Sequence, residues 1–218
     1  MAAIENASGM LALVYRNPQR RSVGFLAGVA LAVILSAAGF LLHGGGPNGA
    51  RFAANLVLFS ASLVFAVYYV AAPLSRLVPV IATQALGAER FALAYAVAGT
   101  MAIFLLSLLT PDLAAGNRVP LPTLAYAALT AVVVAVFLMS AGSKRASARA
   151  TMRSLQSLSS GYFWLVFALT DLDRMVGPHR PDGNFYGLSL LLLVTALLVR
   201  FADAFMARRR AAMSAGGR

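Results

Sequence analysis

The sequence predicts an all-α fold: a polytopic membrane helix bundle of six transmembrane helices with both termini cytoplasmic. Three observations predict it. Hydrophobic residues make up 60% of the 218 positions and charged ones 11%, against roughly 45–50% and about 25% in a soluble domain. Six apolar stretches reach the length that a helix needs to cross a hydrocarbon core about 30 Å thick, which is roughly 20 residues. The basic residues between those stretches alternate, segment by segment, between rich and poor.

Residues 1–21, MAAIENASGMLALVYRNPQRR, have a short apolar part followed by basic residues. A signal peptide has the reverse order, so the segment reads as a cytoplasmic amphipathic lead into the first span. The transmembrane domain is expected over 22–207. Its first span covers about Ser22–Leu42 and stops at His43 and the turn Gly44-Gly45-Gly46-Pro47-Asn48-Gly49. The second covers about Phe52–Ala72 and ends at Pro73. The amphipathic run LSRLVPVIATQALGAER then lies at the interface. The third span covers about Phe91–Leu109, closed by Thr110-Pro111-Asp112. The fourth covers about Pro122–Ala141, after NRVPLP. The fifth covers about Leu155–Val176 and the sixth about Phe185–Met206, followed by a basic cytoplasmic tail over 208–218.

Orientation follows from arginine and lysine in short loops. Arg16, Arg20 and Arg21 precede span one. Arg76 and Arg90 link spans two and three. Lys144, Arg145, Arg149 and Arg153 link four and five, and Arg208, Arg209, Arg210 and Arg218 follow six. The other side has Arg51, Arg118, Arg174 and Arg180. The alternation requires an even number of crossings with both termini inside. It also accounts for the net charge of +11 by topology, without nucleic acid as a partner.

The absence of cysteine excludes disulfides, thiolate metal sites and cysteine nucleophiles. There is no glycine-rich phosphate loop, HExxH or GxSxG, so no catalytic residue is assigned. The two histidines, His43 and His179, fall at or beyond span ends. Nothing in their spacing to Asp112 or Asp182 suggests a metal site. Tyr68-Tyr69, before Pro73, fit an interfacial aromatic anchor. Small residues at Ala94–Gly99 and Ser36-Ala37-Ala38-Gly39 permit close helix approach.

Charged side chains inside a bilayer each need a reason. The stretch Arg153–Val176 carries the only tryptophan, Trp164, and ends in Asp171, Asp173 and Arg174. These three form a candidate polar site, with Arg174 placed to pair with Asp171 three residues earlier. Asp171 alternatively lines a cavity open to the outside. Arg200 and Asp203, near the inner end of span six, have the same spacing and form a second candidate local pair, with snorkelling.

Three stretches carry a resemblance: AAPLSRLVP at the end of span two, ALGAERFALAYAV leading into span three, and FLMSAGSKRASARATMRSLQSLSSGYFWLVFAL from span four into span five. In order and spacing they resemble the ferric reductase-like six-helix transmembrane domain family, which includes the haem-carrying membrane partner of the periplasmic methionine sulfoxide reductase. The resemblance spans Val57 to Val176. It implies haem held by histidines on the third and fifth helices. Here Tyr95-Ala96-Val97-Ala98 leads to Gly99, Leu155-Gln156-Ser157-Leu158 stands where the family shows Leu-His-x-Leu, and Leu169-Thr170-Asp171 surrounds the second helix-five position. Gly99, Gln156 and Thr170 thus stand near the family's haem-ligand positions. No bis-histidine haem can be built from them, and Met101 and Tyr95 read as packing residues.

The expectation is therefore a scaffold of this family without a cofactor, acting as a non-catalytic subunit of a membrane redox complex. Its partners would be the lipid bilayer and other membrane protein subunits, in a bacterial inner (cytoplasmic) membrane. The alternatives are an electron-transfer oxidoreductase with unusual haem or quinone binding, and a small transporter or channel whose charged residues converge on a water-filled cavity.

Overall fold

The computed structural model describes residues 18–142, 149–176 and 185–216. These are helical almost throughout. In chain order the helices are α1 (Pro18–His43), α2 (Pro47–Leu77), α3 (Ile81–Ala88), α4 (Arg90–Ala114), α5 (Leu121–Gly142), α6 (Arg149–Val176) and α7 (Phe185–Gly216). All except the two-turn α3 have the length of a bilayer crossing. His179, Arg180, Asp182, residues 1–17 and residues 143–148 lie outside the described residues.

Five helices are both long and apolar enough to cross a membrane: α1, α2, α4, α5 and α7. Helix α6 is 28 residues long but falls short in apolarity, so length and composition show five of the six expected spans. Ser154, Gln156, Ser157, Ser159 and Ser160 dilute its first half, and Thr170, Asp171, Asp173 and Arg174 its last turns.

The helices overrun the expected limits. Helix α2 continues through Pro73 to Leu77. A proline costs a helix one backbone bond, a loss tolerated where neighbouring helices enclose the site. Helix α4 runs past Thr110-Pro111-Asp112 to Ala114 and stops at Gly116, whose φ of +71° closes the end. Gly44, with φ +80°, terminates α1 in the same way. Helix α7 carries Arg208, Arg209 and Arg210 as a helical extension rather than a separate tail.

Helices α2, α4, α5, α6 and α7 form a closed ring in which each packs on the next, and α1 lies outside it, against α2 and α4. The α1–α4 seam depends on glycine. A Cβ added at Gly24 would lie 2.4 Å from the carbonyl oxygen of Ala92, and one at Gly28 would lie 2.2 Å from that of Ala96. Gly99 answers from α4, where a Cβ would stand 2.4 Å from the Phe25 carbonyl oxygen. Such glycines let two backbones meet directly, as Gly-x-x-x-Gly pairs do in membranes.

Inside the ring the space is filled with aromatic rings. Phe65 and Tyr68 of α2, Phe137 of α5 and Phe163 and Phe167 of α6 are fully buried. Phe137 meets Tyr68 edge-on at 5.2 Å and Phe163 edge-on at 5.4 Å, while Phe65 lies 5.9 Å from Phe163 and 5.5 Å from Phe167. These separations and tilts are the favoured geometry for aromatic pairs. Met101 of α4 and Leu193 of α7 close the core. The outer surface carries large apolar side chains instead, among them Leu26, Ile34, Leu106, Val132, Leu165, Leu191 and Phe201. A soluble monomer seldom exposes so continuous an apolar surface; it suits contact with a lipid bilayer.

Candidate functional site

The polar side chains collect at the two ends of the ring, with the aromatic core between them. At one end Arg76 of α2 grips Asp203 of α7: Nε donates to Oδ1 at 3.1 Å and Nη2 to Oδ2 at 2.5 Å. This two-pronged contact is the strong form of a charge-assisted bond. Arg200 does not pair with Asp203, contrary to the expected local pair. Its guanidinium lies over the ring of Tyr69, 4.2 Å from the centroid. The reason is geometric: Arg76 supplies a forked donor matched to the carboxylate, and a π face is left for Arg200.

Tyr68 and Tyr69 are buried, not lipid-facing anchors. The Tyr68 hydroxyl accepts from Nε2 of Gln156 on α6 at 2.9 Å, and Arg90 of α4 lies 5.5 Å from its ring centroid. This end therefore joins α2, α4, α6 and α7 through two adjacent tyrosines. Arg21 of α1 lies 5.9 Å from the Tyr95 ring of α4 at the same end.

At the opposite end Asp171 and Arg174 of α6 enter a cluster with α2 and α7. Arg174 Nη1 donates to Oδ1 of Asn55 and, at 3.2 Å, to the Tyr186 hydroxyl; its guanidinium also lies 5.4 Å from the Tyr186 ring centroid. The expected Asp171–Arg174 pair is not formed, because Arg174 reaches across to both neighbouring helices. Asp171 is 1% exposed, and neither of its oxygens has a hydrogen-bond partner among the described residues. The polar groups that act on it are the Ser189 hydroxyl and the Arg174 guanidinium. Ser189 of α7 is itself bonded to Ser62 of α2, Oγ to Oγ, at 2.6 Å. Asp173 is exposed and takes no part.

Between the ends, Trp164 donates its indole N–H to the Leu193 carbonyl of α7 at 3.0 Å. Tyr162 shares a 2.9 Å hydroxyl contact with Thr130 of α5.

The candidate residues thus divide into two groups. Asp171 and Arg174 stand at one end; Arg200 and Asp203 stand at the other. Ser189 and Asp203 are about 21 Å apart along α7 at 1.5 Å per residue, so these charges do not converge on one cavity. Sequence reasoning missed Asn55, Ser62, Tyr186 and Ser189. A signal was present in α2, where Asn55, Leu58, Ser62, Phe65, Tyr69 and Arg76 recur at three- and four-residue spacing, or its multiple, along one face.

The positions that the family resemblance aligns with haem ligands have other occupations. Gly99 is in backbone contact with α1, so no imidazole fits there. Gln156 is committed to Tyr68, and Thr170 donates to the Val166 carbonyl of its own helix at 2.7 Å. Met101 is buried in the core and Tyr95 meets Arg21. Helices α4 and α6 make no close backbone approach among the described residues, and the aromatic core lies between them. None of Gly99, Gln156 and Thr170 is placed as a haem ligand. No two histidines are available in the described bundle, and no group of three or more histidine, aspartate or glutamate residues that could hold a metal occurs among the described residues.

No family model, no curated protein and no solved structure matches this chain.

Proposed function

We propose that this chain is a haem-free membrane scaffold of ferric reductase-like architecture, serving as a non-catalytic subunit of a membrane redox complex. In this reading α6 is the sixth crossing, and the termini lie together on the cytoplasmic face. One observation carries the reading: at the three haem-ligand positions, Gly99, Gln156 and Thr170 each have a structural task incompatible with ligation. Five packed rings where a macrocycle would sit support it further. The family assignment rests on the order of the sequence stretches around Val57–Val176.

The contacts of α6 favour its crossing the bilayer. From Gln156 to Arg174 it is tied to α2 and α7 over most of its length, so Gln156, Ser159, Ser160, Asp171 and Arg174 face helices, while Ser157 and Asp173 are exposed. The transporter alternative draws on the buried carboxyl of Asp171, and is weakened by the separation of the two charged ends.

The test is an absorption spectrum of protein purified from haem-replete cells, with identification of the membrane chains that co-purify. The expected result is no Soret band and a stoichiometric membrane partner carrying the redox group. A Soret band at one haem per chain overturns the scaffold reading. A pigment-free chain that purifies alone, and catalyses ion flux in vesicles, replaces it with transport.

A further inference from the structure

We propose that Asp171 is a proton-binding site, holding its carboxyl neutral inside the bundle, and that its occupancy decides the partner of Arg174. The proposal is independent of the scaffold reading.

It rests on burial and on the lack of a hydrogen-bond partner at either carboxyl oxygen among the described residues. A hydroxyl has one proton to give. The hydroxyl of Ser62 donates to the Phe59 carbonyl at 2.8 Å. Either hydroxyl can donate in the 2.6 Å contact between Ser62 and Ser189; with the Ser62 proton on the Phe59 carbonyl, the Ser189 proton closes it and Ser189 offers Asp171 lone pairs. A carboxylate facing lone pairs has no donor, whereas a protonated carboxyl supplies the missing one. In the protonated state the chain would run from Asp171 through Ser189 and Ser62 to the Phe59 carbonyl, each member donating once.

The surroundings agree. An ionised, unpartnered carboxylate with 1% exposure would carry a large desolvation cost. The cation nearby, Arg174, is turned to Asn55 and Tyr186 instead. From α2 the site receives the neutral groups Asn55 and Ser62, and from α7 Ser189 and the Tyr186 phenol, which accepts from Arg174. Helix α5 has no charged side chain, and its Tyr126 lies beside Tyr162 and Thr130. Release of the proton to water breaks the carboxyl O–H bond and leaves a carboxylate three residues from Arg174 on one helix face. Arg174 then pairs with it and gives up the bridge to α2 and α7.

The test is infrared spectroscopy of the full chain in lipid nanodiscs at neutral pH. The expected result is a protonated-carboxyl C=O band that moves on ¹³C-aspartate labelling, disappears in Asp171→Asn and shifts in Ser189→Ala. Labelling of the unmutated chain assigns the band to an aspartate even if a variant fails to fold. Asp171→Asn should melt at or above the temperature of the unmutated protein. Absence of the band at neutral pH overturns the proposal. So does a melting temperature raised by sodium but not by choline and lost in Asp171→Asn, which would make the site one for a metal cation.

Discussion

Arg76 and Asp203 lie 127 residues apart in the chain and meet through two hydrogen bonds, closing α2 onto α7 at one end of the ring. Arg76 is half-exposed and the carboxylate mostly covered, so solvent screens the attraction without abolishing it. Either single replacement, Arg76→Ala or Asp203→Ala, should lower unfolding stability in mild detergent, and the pair should show a coupling of about 1 kcal/mol in a double-mutant cycle. Replacing Arg200 should leave that coupling unchanged, because it stacks on Tyr69.

The α1–α4 seam predicts a contrast between two glycines. Gly28→Val places side-chain atoms where the Ala96 carbonyl stands, and should cost about 1–3 kcal/mol or more by overpacking. Gly161, on α6, has open space where a methyl group would project, with no atom within 4 Å. Gly161→Ala should be neutral or stabilising by up to about 1 kcal/mol, because alanine is the better helix former. Thermal unfolding of both variants in the same detergent decides the contrast.

The single tryptophan reports on whether α6 crosses the bilayer. Trp164 stands near the middle of α6. If α6 spans, lipids brominated deep in the acyl chain should quench its emission more than lipids brominated near the headgroup. The reverse order would place α6 at the interface. Trp164→Phe, which removes the donor to Leu193, should cost about 1 kcal/mol.

The aromatic core should behave as one packed unit. Phe163 contacts Phe65, Tyr162, Phe137 and Phe167. Phe163→Ala should cost about 3–5 kcal/mol, and Phe163→Leu clearly less. Equal loss in both variants, measured by denaturant titration, would mean that the ring contacts contribute little.

Much of the architecture is legible in the sequence because lipid and length constrain it strongly. The apolar runs at α1, α2, α4, α5 and α7 are readable without packing information. Helix α6 is less so: Ser159, Ser160 and Gln156 are covered by other helices, and hydropathy cannot tell a buried polar face from a wet one. The charged pairs mislead for a related reason. Residues three apart on one helix can always meet, so the sequence offers Arg174 to Asp171 and Arg200 to Asp203. It contains no statement that Asn55, Tyr186, Arg76 and Tyr69 arrive from other helices as better partners. Gly99 reads in sequence as a lost ligand position; its tight fit against Phe25 becomes visible only once α1 is docked, although Gly24 and Gly28 already carry that signal at four-residue spacing.

Helix α2 contributes to both polar ends and to the ring interior, yet the helix that completes its contacts, α7, is the last of the bundle to be synthesised. Until α7 leaves the ribosome, Arg76 lacks its carboxylate and Ser62 its hydroxyl neighbour. Gly24 and Gly28 of α1 likewise wait for α4 before they meet a backbone, whereas Gly39 meets Ala53 of α2. The ring must therefore close after translation of its final helix, and partly inserted chains would display α2's polar stripe to quality-control proteases. Stalled chains ending before α7 should be short-lived for that reason.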